Sequence, residues 1–305
     1  MSKPWILVSP ASRGIGHALT RHLLRTTTTP VLATARTDLP RVRESIISSL
    51  VSPHSPESPS PSGPLSEDEV SRRLHIAQVD VTKESTLQSA AAEAAKLFPP
   101  ATHHLRLAFA LPGILVRPEK SPRDVDFEAA LRTLQVNVLG QLMLMKHFSE
   151  FLPRKSTAIS PEPLFSPSSS GDEGESAAGE ASREDDAAEV LPRATWLMAS
   201  ARVGSTSDNR LGGWYSYRAS KSAVNSLAKT FDLHLRTRSA DKALAVAYHP
   251  GTVRTGLSRE YWGRVSEEKL FSPEYAAERM VEVVRTREVG DRGRCWDWKG
   301  EEVLP

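Results

Sequence analysis

The chain has 305 residues, 39% of them hydrophobic and 25% charged, which is ordinary globular composition and enough length for one large domain or two small ones. No stretch is apolar and long enough to span a bilayer, and a single cysteine, Cys295, excludes an internal disulfide and a cysteine-rich metal site. The net charge of +2 conceals a split: residues 156–191 carry nine acids against one base, a net of −8, leaving +10 on the remainder. A basic body suits a phosphorylated ligand, or is simply a solvated surface beside an acidic loop; no basic cluster interleaved with aromatics points to nucleic acid.

The N-terminus passes from Met1 into the apolar run Trp5-Ile6-Leu7-Val8 with no room for a signal peptide, so a reducing, cytoplasmic setting is expected. Ser9-Pro10-Ala11-Ser12-Arg13-Gly14-Ile15-Gly16 follows, and then Ile15, Ala18, Leu19 and Leu23 recur at helical spacing. Strand, glycine turn, helix is the context in which backbone amides and a helix N-terminus cradle a phosphate; the alternative is an ordinary tight turn. Val31 to Arg36 is a second strand. It ends on Arg36 with no acid before Asp38, and Arg13 adds a second cation, so the pair favours a 2′-phosphate and hence NADP over NAD.

Leu39 to Val51 reads as a helix, and residues 52–70, dense in Ser and Pro, as a disordered insert. His75 to Val79 is a strand ending at Asp80-Val81. Ser85 to Leu97 is a helix with Ser85 as its N-cap, and Leu105 to Ala110 a strand ending at Leu111-Pro112-Gly113. Phe127 to Phe151 is one long helical pattern around Asn137, which is either a satisfied core amide or a functional kink. Residues 156–191 form a second disordered insert.

Ala194 to Ala199 is a strand running into Ser200. Tyr217 opens a helix to Arg236 with Lys221 one turn on, so phenol and ammonium share a face and the cation should lower the Tyr217 pKa. With five Tyr in the chain, about 0.3 such pairs arise by chance, so the pair needs its context. Leu244 to Tyr248 is the sixth strand, before His249-Pro250-Gly251-Thr252; residues 255–272 are loop or short helices, 273–286 a helix, and 294–298 a last short strand. The alternation predicts an α/β fold: a single Rossmann-type, doubly wound parallel sheet of about seven strands with helices on both faces, in one domain over 1–305. Both inserts join a helix to the next strand, which puts them at the sheet end opposite the ligand.

Together these motifs resemble the short-chain dehydrogenase/reductase family, in its C-factor-like, carbonyl-reductase-related branch. The resemblance is carried by Ser200 to Lys221 and by His249-Pro250-Gly251-Thr252, and it covers nearly all the chain outside the inserts. It implies Tyr217, Lys221, Asn137 and Ser200 as catalytic residues, with Asn137 holding a water that connects Lys221 to solvent. It implies Ser9, Ser12, Arg13, Gly14, Ile15, Gly16, Arg36, Asp80, Val81, Gly113, Lys221, Pro250, Gly251 and Thr252 around NADP(H). Reduction of a small carbonyl to an alcohol is the implied reaction, with no membrane or nucleic-acid partner and a homodimer through the helices near 127–151 and 217–237. Three departures stand against the family pattern: Pro10 replaces the first glycine of the turn, Ala110-Leu111 replaces Asn-Asn, and Ala201 aligns with the usual catalytic serine, leaving Ser200 or Ser205. A non-catalytic NADP(H)-binding regulator or scaffold is the rival reading. An epimerase or dehydratase would need more chain after Lys221.

Overall fold

The computed structural model describes residues 1–51, 65–160, 164–165 and 193–305. The strand-length apolar runs become β1 (Lys3–Ser9), β2 (Val31–Ala35), β3 (Leu74–Gln78), β4 (His103–Ala110), β5 (Ala194–Ala199) and β6 (Ala243–His249). Between and after them lie α1 (Gly14–Thr26), α2 (Leu39–Val51), α3 (Glu67–Arg73), α4 (Glu84–Leu97), α5 (Phe127–Leu134), α6 (Gly140–Phe148), α7 (Tyr215–Ser239) and α8 (Pro273–Arg285). Two short strands, β7 (Thr252–Val253) and β8 (Leu270–Phe271), pair with each other, and β9 (Cys295–Asp297) and β10 (Glu302–Val303) close the chain.

The main sheet has eight strands in the order β10-β9-β6-β5-β4-β1-β2-β3. Seven are parallel, and β10, antiparallel to β9, is the edge strand that the expectation of about seven omits. Strand order reverses between β1 and β4, which opens a crevice at their C-terminal ends. Buried on both faces, these strands read as continuous rather than alternating apolar runs. One face packs Leu19, Leu23 and Leu24 of α1, Ile46 of α2 and Met280 of α8. The other packs Leu87 of α4, Leu144 of α6 and Val224, Ala228 and Leu235 of α7. Trp5, fully buried, stacks on Phe98 at 4.7 Å and meets Phe151 edge-on at 5.4 Å. Asp232 of α7, also fully buried, takes Arg292 Nε at 2.8 Å and the Ala245 amide at 3.2 Å, pinning the chain before β9 to β6.

Local chemistry moved several expected boundaries. Residues 67–70, read as the tail of the first insert, begin α3, because Ser66 caps it by accepting from the Glu69 amide and three acids occupy its first turn. In the second insert, Ile159 bridges Ser2, and Leu164 and Phe165 are buried against the α1–α8 face, with Phe165 bridging Thr27. The rest of both inserts, 52–64, 161–163 and 166–191, lies outside the described residues. Ser85 is not an N-cap: Lys83 holds that position without a side-chain bond, and Thr86 donates back to the Lys83 and Asp80 carbonyls. The helix expected over 127–151 is four segments: α5, a π turn over Gln135–Leu139, α6 and a 3₁₀ turn over Ser149–Phe151. Among the described residues no helix is long and apolar enough to cross a membrane.

Candidate active site

The crevice is built first by its glycines. Gly14 has φ +58°, and a Cβ on Gly16 would stand 1.9 Å from the Pro10 carbonyl oxygen, so α1 starts flush against the end of β1 as only glycine permits. The Ser9–Pro10 peptide is cis. Arg13, the α1 N-cap, makes no side-chain capping bond, and Ser12 and Arg13 are exposed beside the open first turn. Ser9 is not part of this surface. It is fully buried, and its hydroxyl accepts from Thr34, tying β1 to β2. Arg36 is exposed at the end of β2. Asp80, after β3, is pushed up by burial, but two hydrogen bonds from Thr82, with Lys83 and Arg36 nearby, outweigh this and hold its carboxyl below the usual range. Thr255 closes over Gly14, its methyl 3.1 Å from where a Cβ would be. Gly251, at φ +74°, packs its backbone against Phe271 and Trp298.

Tyr217 and Lys221 lie one turn apart on α7, 8% and 3% exposed. The Lys221 ammonium donates to the Ala199 carbonyl at 2.8 Å and stands 5.6 Å from the Tyr217 ring centroid, over its face. Gly113 leaves room for it: a Cβ there would be 3.4 Å from Nζ. Burial lowers the Lys221 pKa to about 8. The expected depression of Tyr217 does not occur in the protein alone. Burial, and secondarily Tyr261, push the phenol up, since desolvation disfavours phenolate and the ammonium faces the ring rather than the hydroxyl. Among the described residues the Tyr217 hydroxyl has no hydrogen-bond partner.

Asn137 sits fully buried in the π turn. Its amide accepts from the Ile114 N–H at 2.7 Å and donates to the Ile114 carbonyl at 3.0 Å and to Ser220 Oγ at 3.0 Å. Its side chain therefore ties the segment after β4 to α7. Ser200, just after β5, is held from the α7 side. Its hydroxyl donates to Asn225 Oδ1 at 2.6 Å and to the Lys221 carbonyl at 3.3 Å, so it is committed to the body of α7. Ser205 accepts from the Asp208 amide in its own turn, and Ala201 offers no hydroxyl.

Three contributors escaped the sequence reading. Trp214, in a left-handed conformation just before α7, meets Tyr217 edge-on at 6.0 Å and Tyr261 at 4.9 Å, roofing the phenol. Ser220 links Asn137 to the helix. Gly204 lets the turn after β5 lie on the Lys221 backbone, where a Cβ would come within 2.7 Å. Ser220 was visible in the sequence, lying between Tyr217 and Lys221; the contact of Trp214 with Tyr261, 47 positions on, was not.

No family model matches the chain. A segment of 84 residues, 28% of the chain and 34% of the relative's length, is 38% identical to 1-hydroxy-2-glutathionyl-2-methyl-3-butene dehydrogenase of Rhodococcus sp. strain AD45, so the match spans about a third of that protein. Solved structures align over the whole chain and the whole of their own length. Carbonyl reductase Sniffer of D. melanogaster does so at TM-score 0.70 and 19% identity, and the NADPH-bound carbonyl reductase from chicken fatty liver at 0.68 and 20%. A short-chain dehydrogenase/reductase of Burkholderia multivorans with bound NADP reaches 0.66 at 19% identity. By its sheet order and these full-length likenesses, the chain has the fold of the short-chain dehydrogenases/reductases.

Proposed function

We propose that the protein is an NADPH-dependent reductase that converts a ketone or aldehyde to an alcohol. The observation that carries the reading is the Tyr217 phenol, protonated and without a protein partner, one helical turn from a buried ammonium held between Gly113 and the Ala199 carbonyl. The residues around the crevice fit a dinucleotide. The α1 N-terminus has no side-chain cap, its turn is built on Gly14 and Gly16, Arg13 and Arg36 are exposed after β1 and β2, and Asp80 and Val81 follow β3. When bound, reduced nicotinamide supplies the hydride. Tyr217 holds the proton and gives it to the carbonyl oxygen, a contribution typically worth ~10²–10⁴ in rate. Lys221 presents a desolvated cation beside the phenol and is a donor for ribose hydroxyls. Asn137 fixes the wall after β4 against α7, and Trp214, which also meets Tyr261, packs beside the Tyr217 ring. Ser200 supports the helix rather than the carbonyl.

The test is NADPH oxidation against a panel of aldehydes and ketones, with NADH as control. Tyr217→Phe should lose most turnover and still bind NADPH; full activity in that variant would remove Tyr217 as the acid, and a preference for NADH would remove the roles of Arg13 and Arg36. A second reading, an NADP(H)-binding protein without catalysis, draws on one observation: both candidate serines are engaged in hydrogen bonds elsewhere. NADPH binding without turnover across the panel selects it. A buried lone cysteine suits a cytoplasmic protein. A homodimer through α5 and α7 suits the apolar residues these helices expose, Phe127, Leu131, Leu134 and Leu233.

A further inference from the structure

Arg106 lies in the middle of the sheet with no ion-pair or hydrogen-bond partner among the described residues. The β1–β4 register skips it: Leu105 pairs with Trp5 and Leu107 with Ile6, so Arg106 is the extra residue of a bulge. A bulge frees a residue from the ladder and re-aims its side chain. Here the side chain is 2% exposed, and its Nε and Nη1 are buried without a hydrogen-bond partner. Among the described residues the charged group that perturbs it is another cation, Arg193, at the start of the neighbouring strand. Burial and Arg193 lower the guanidinium only to about 10, so it is charged at neutral pH.

Its surroundings repeat the same imbalance. Arg193 donates from Nη1 to the Arg287 carbonyl at 3.2 Å, but its Nε is buried and unpartnered. Thr195, which pairs with Leu107 across the β4–β5 ladder, has a buried hydroxyl without a partner, as does the Nε2 of His104. His104 is uncharged at neutral pH, pushed to about 4 by burial and then by Arg106. Four side chains near the starts of β4 and β5 thus hold five buried polar atoms with no protein partner, and all but the Thr195 hydroxyl and the imidazole can only donate. Two neighbouring guanidinium groups withdrawn from water are costly unless an anion joins them. A guanidinium edge matches the geometry of a tetrahedral oxyanion, and a hydroxyl complements it.

We propose that the N-terminal edge of β4 and β5 binds a small oxyanion of the phosphate class, held by Arg106 and Arg193 with Thr195. The site is separate from the catalytic crevice, because Arg106 precedes Ala110, where β4 reaches that crevice, by four residues or about 13 Å of strand. It stands whether or not the reductase reading does.

The experiment is thermal unfolding of the full chain, without nucleotide, in inorganic phosphate against chloride at matched ionic strength. Phosphate should raise the midpoint saturably by a few degrees, about what tens-fold excess over Kd supplies. Arg106→Met, similar in length and uncharged, should abolish that shift while Arg36→Ala keeps it. Should Arg106→Met fail to fold, Arg193→Gln takes its place, with a loss of at least about tenfold in phosphate affinity by titration calorimetry. No phosphate shift in the native chain overturns the proposal. So does a shift that survives Arg106→Met and disappears in Arg36→Ala, which assigns the anion to the nucleotide crevice. A shift that appears only after deletion of residues 166–190 overturns it too, since a carboxylate of the chain then fills the site.

Discussion

Lys221 is where function and stability pull apart. Its ammonium is withdrawn from water, with the Ala199 carbonyl as its one hydrogen-bond partner among the described residues, and burial moves its pKa from 10.5 to about 8. Between these values the unfolded chain binds more protons than the folded one, so this residue's contribution improves as pH rises from about 8 to 10.5. Below pH 8 it destabilises the fold by up to about 3 kcal/mol. Lys221→Met should therefore stabilise the fold at pH 7 by about 1–2 kcal/mol once the lost hydrogen bond is counted, seen as a higher thermal midpoint, while removing turnover. The Ala199 carbonyl keeps Gln141 as a donor at 3.4 Å in that variant. The gain should shrink steadily toward pH 10.5; a gain that stays level with pH would mean that the buried charge is not its origin. The Tyr217–Lys221 pair was legible in the sequence because it lies on one helical turn. The direction of the Tyr217 shift was not, because it depends on burial by Trp214 and Tyr261, which the sequence does not place together.

At the scale of elements, the π turn over Gln135–Leu139 does what a regular helix could not. It turns Asn137 inward where its amide can grip Ile114 on both backbone groups, and it brings Gly140 against Val81, where a Cβ would be 3.0 Å away. The sequence left Asn137 open between a satisfied core amide and a kink, and the structure makes it both. A single wide turn shifts the apolar period too little to be read, and its cause lies in Ile114 and Ser220, 23 and 83 positions away. Ser200 shows the same limit: its strand was legible, but which face its hydroxyl takes follows from register against α7. Asn137→Ala should lose about 2–3 kcal/mol, because the Ile114 amide and carbonyl are left without their partner, and should lower kcat beyond any effect on NADPH affinity. Equal melting temperatures for the variant and the native chain would show that the clamp is dispensable.

For the molecule as a whole, the parallel sheet with helices on both faces was legible because each apolar run is of strand length and the runs alternate with helical periods, while the order of the strands had to come from the structure. Assembly is decided by a different signal, what the fold leaves uncovered. Phe127, Leu131 and Leu134 fall at i, i+4 and i+7, one face of α5, and are 74%, 49% and 39% exposed. Leu139 and, on α7, Leu233 are each half exposed. The sequence pattern of α5 is amphipathic, so a lone chain would turn that stripe inward; here it faces out, which a second copy would cover. Paired substitution of Phe127→Asp and Leu131→Glu should convert a dimer to a monomer in sedimentation velocity without lowering monomer stability, since neither side chain is buried. A native chain that sediments as a monomer at tens of micromolar would refute the dimer, and a variant that stays dimeric would move the interface off α5.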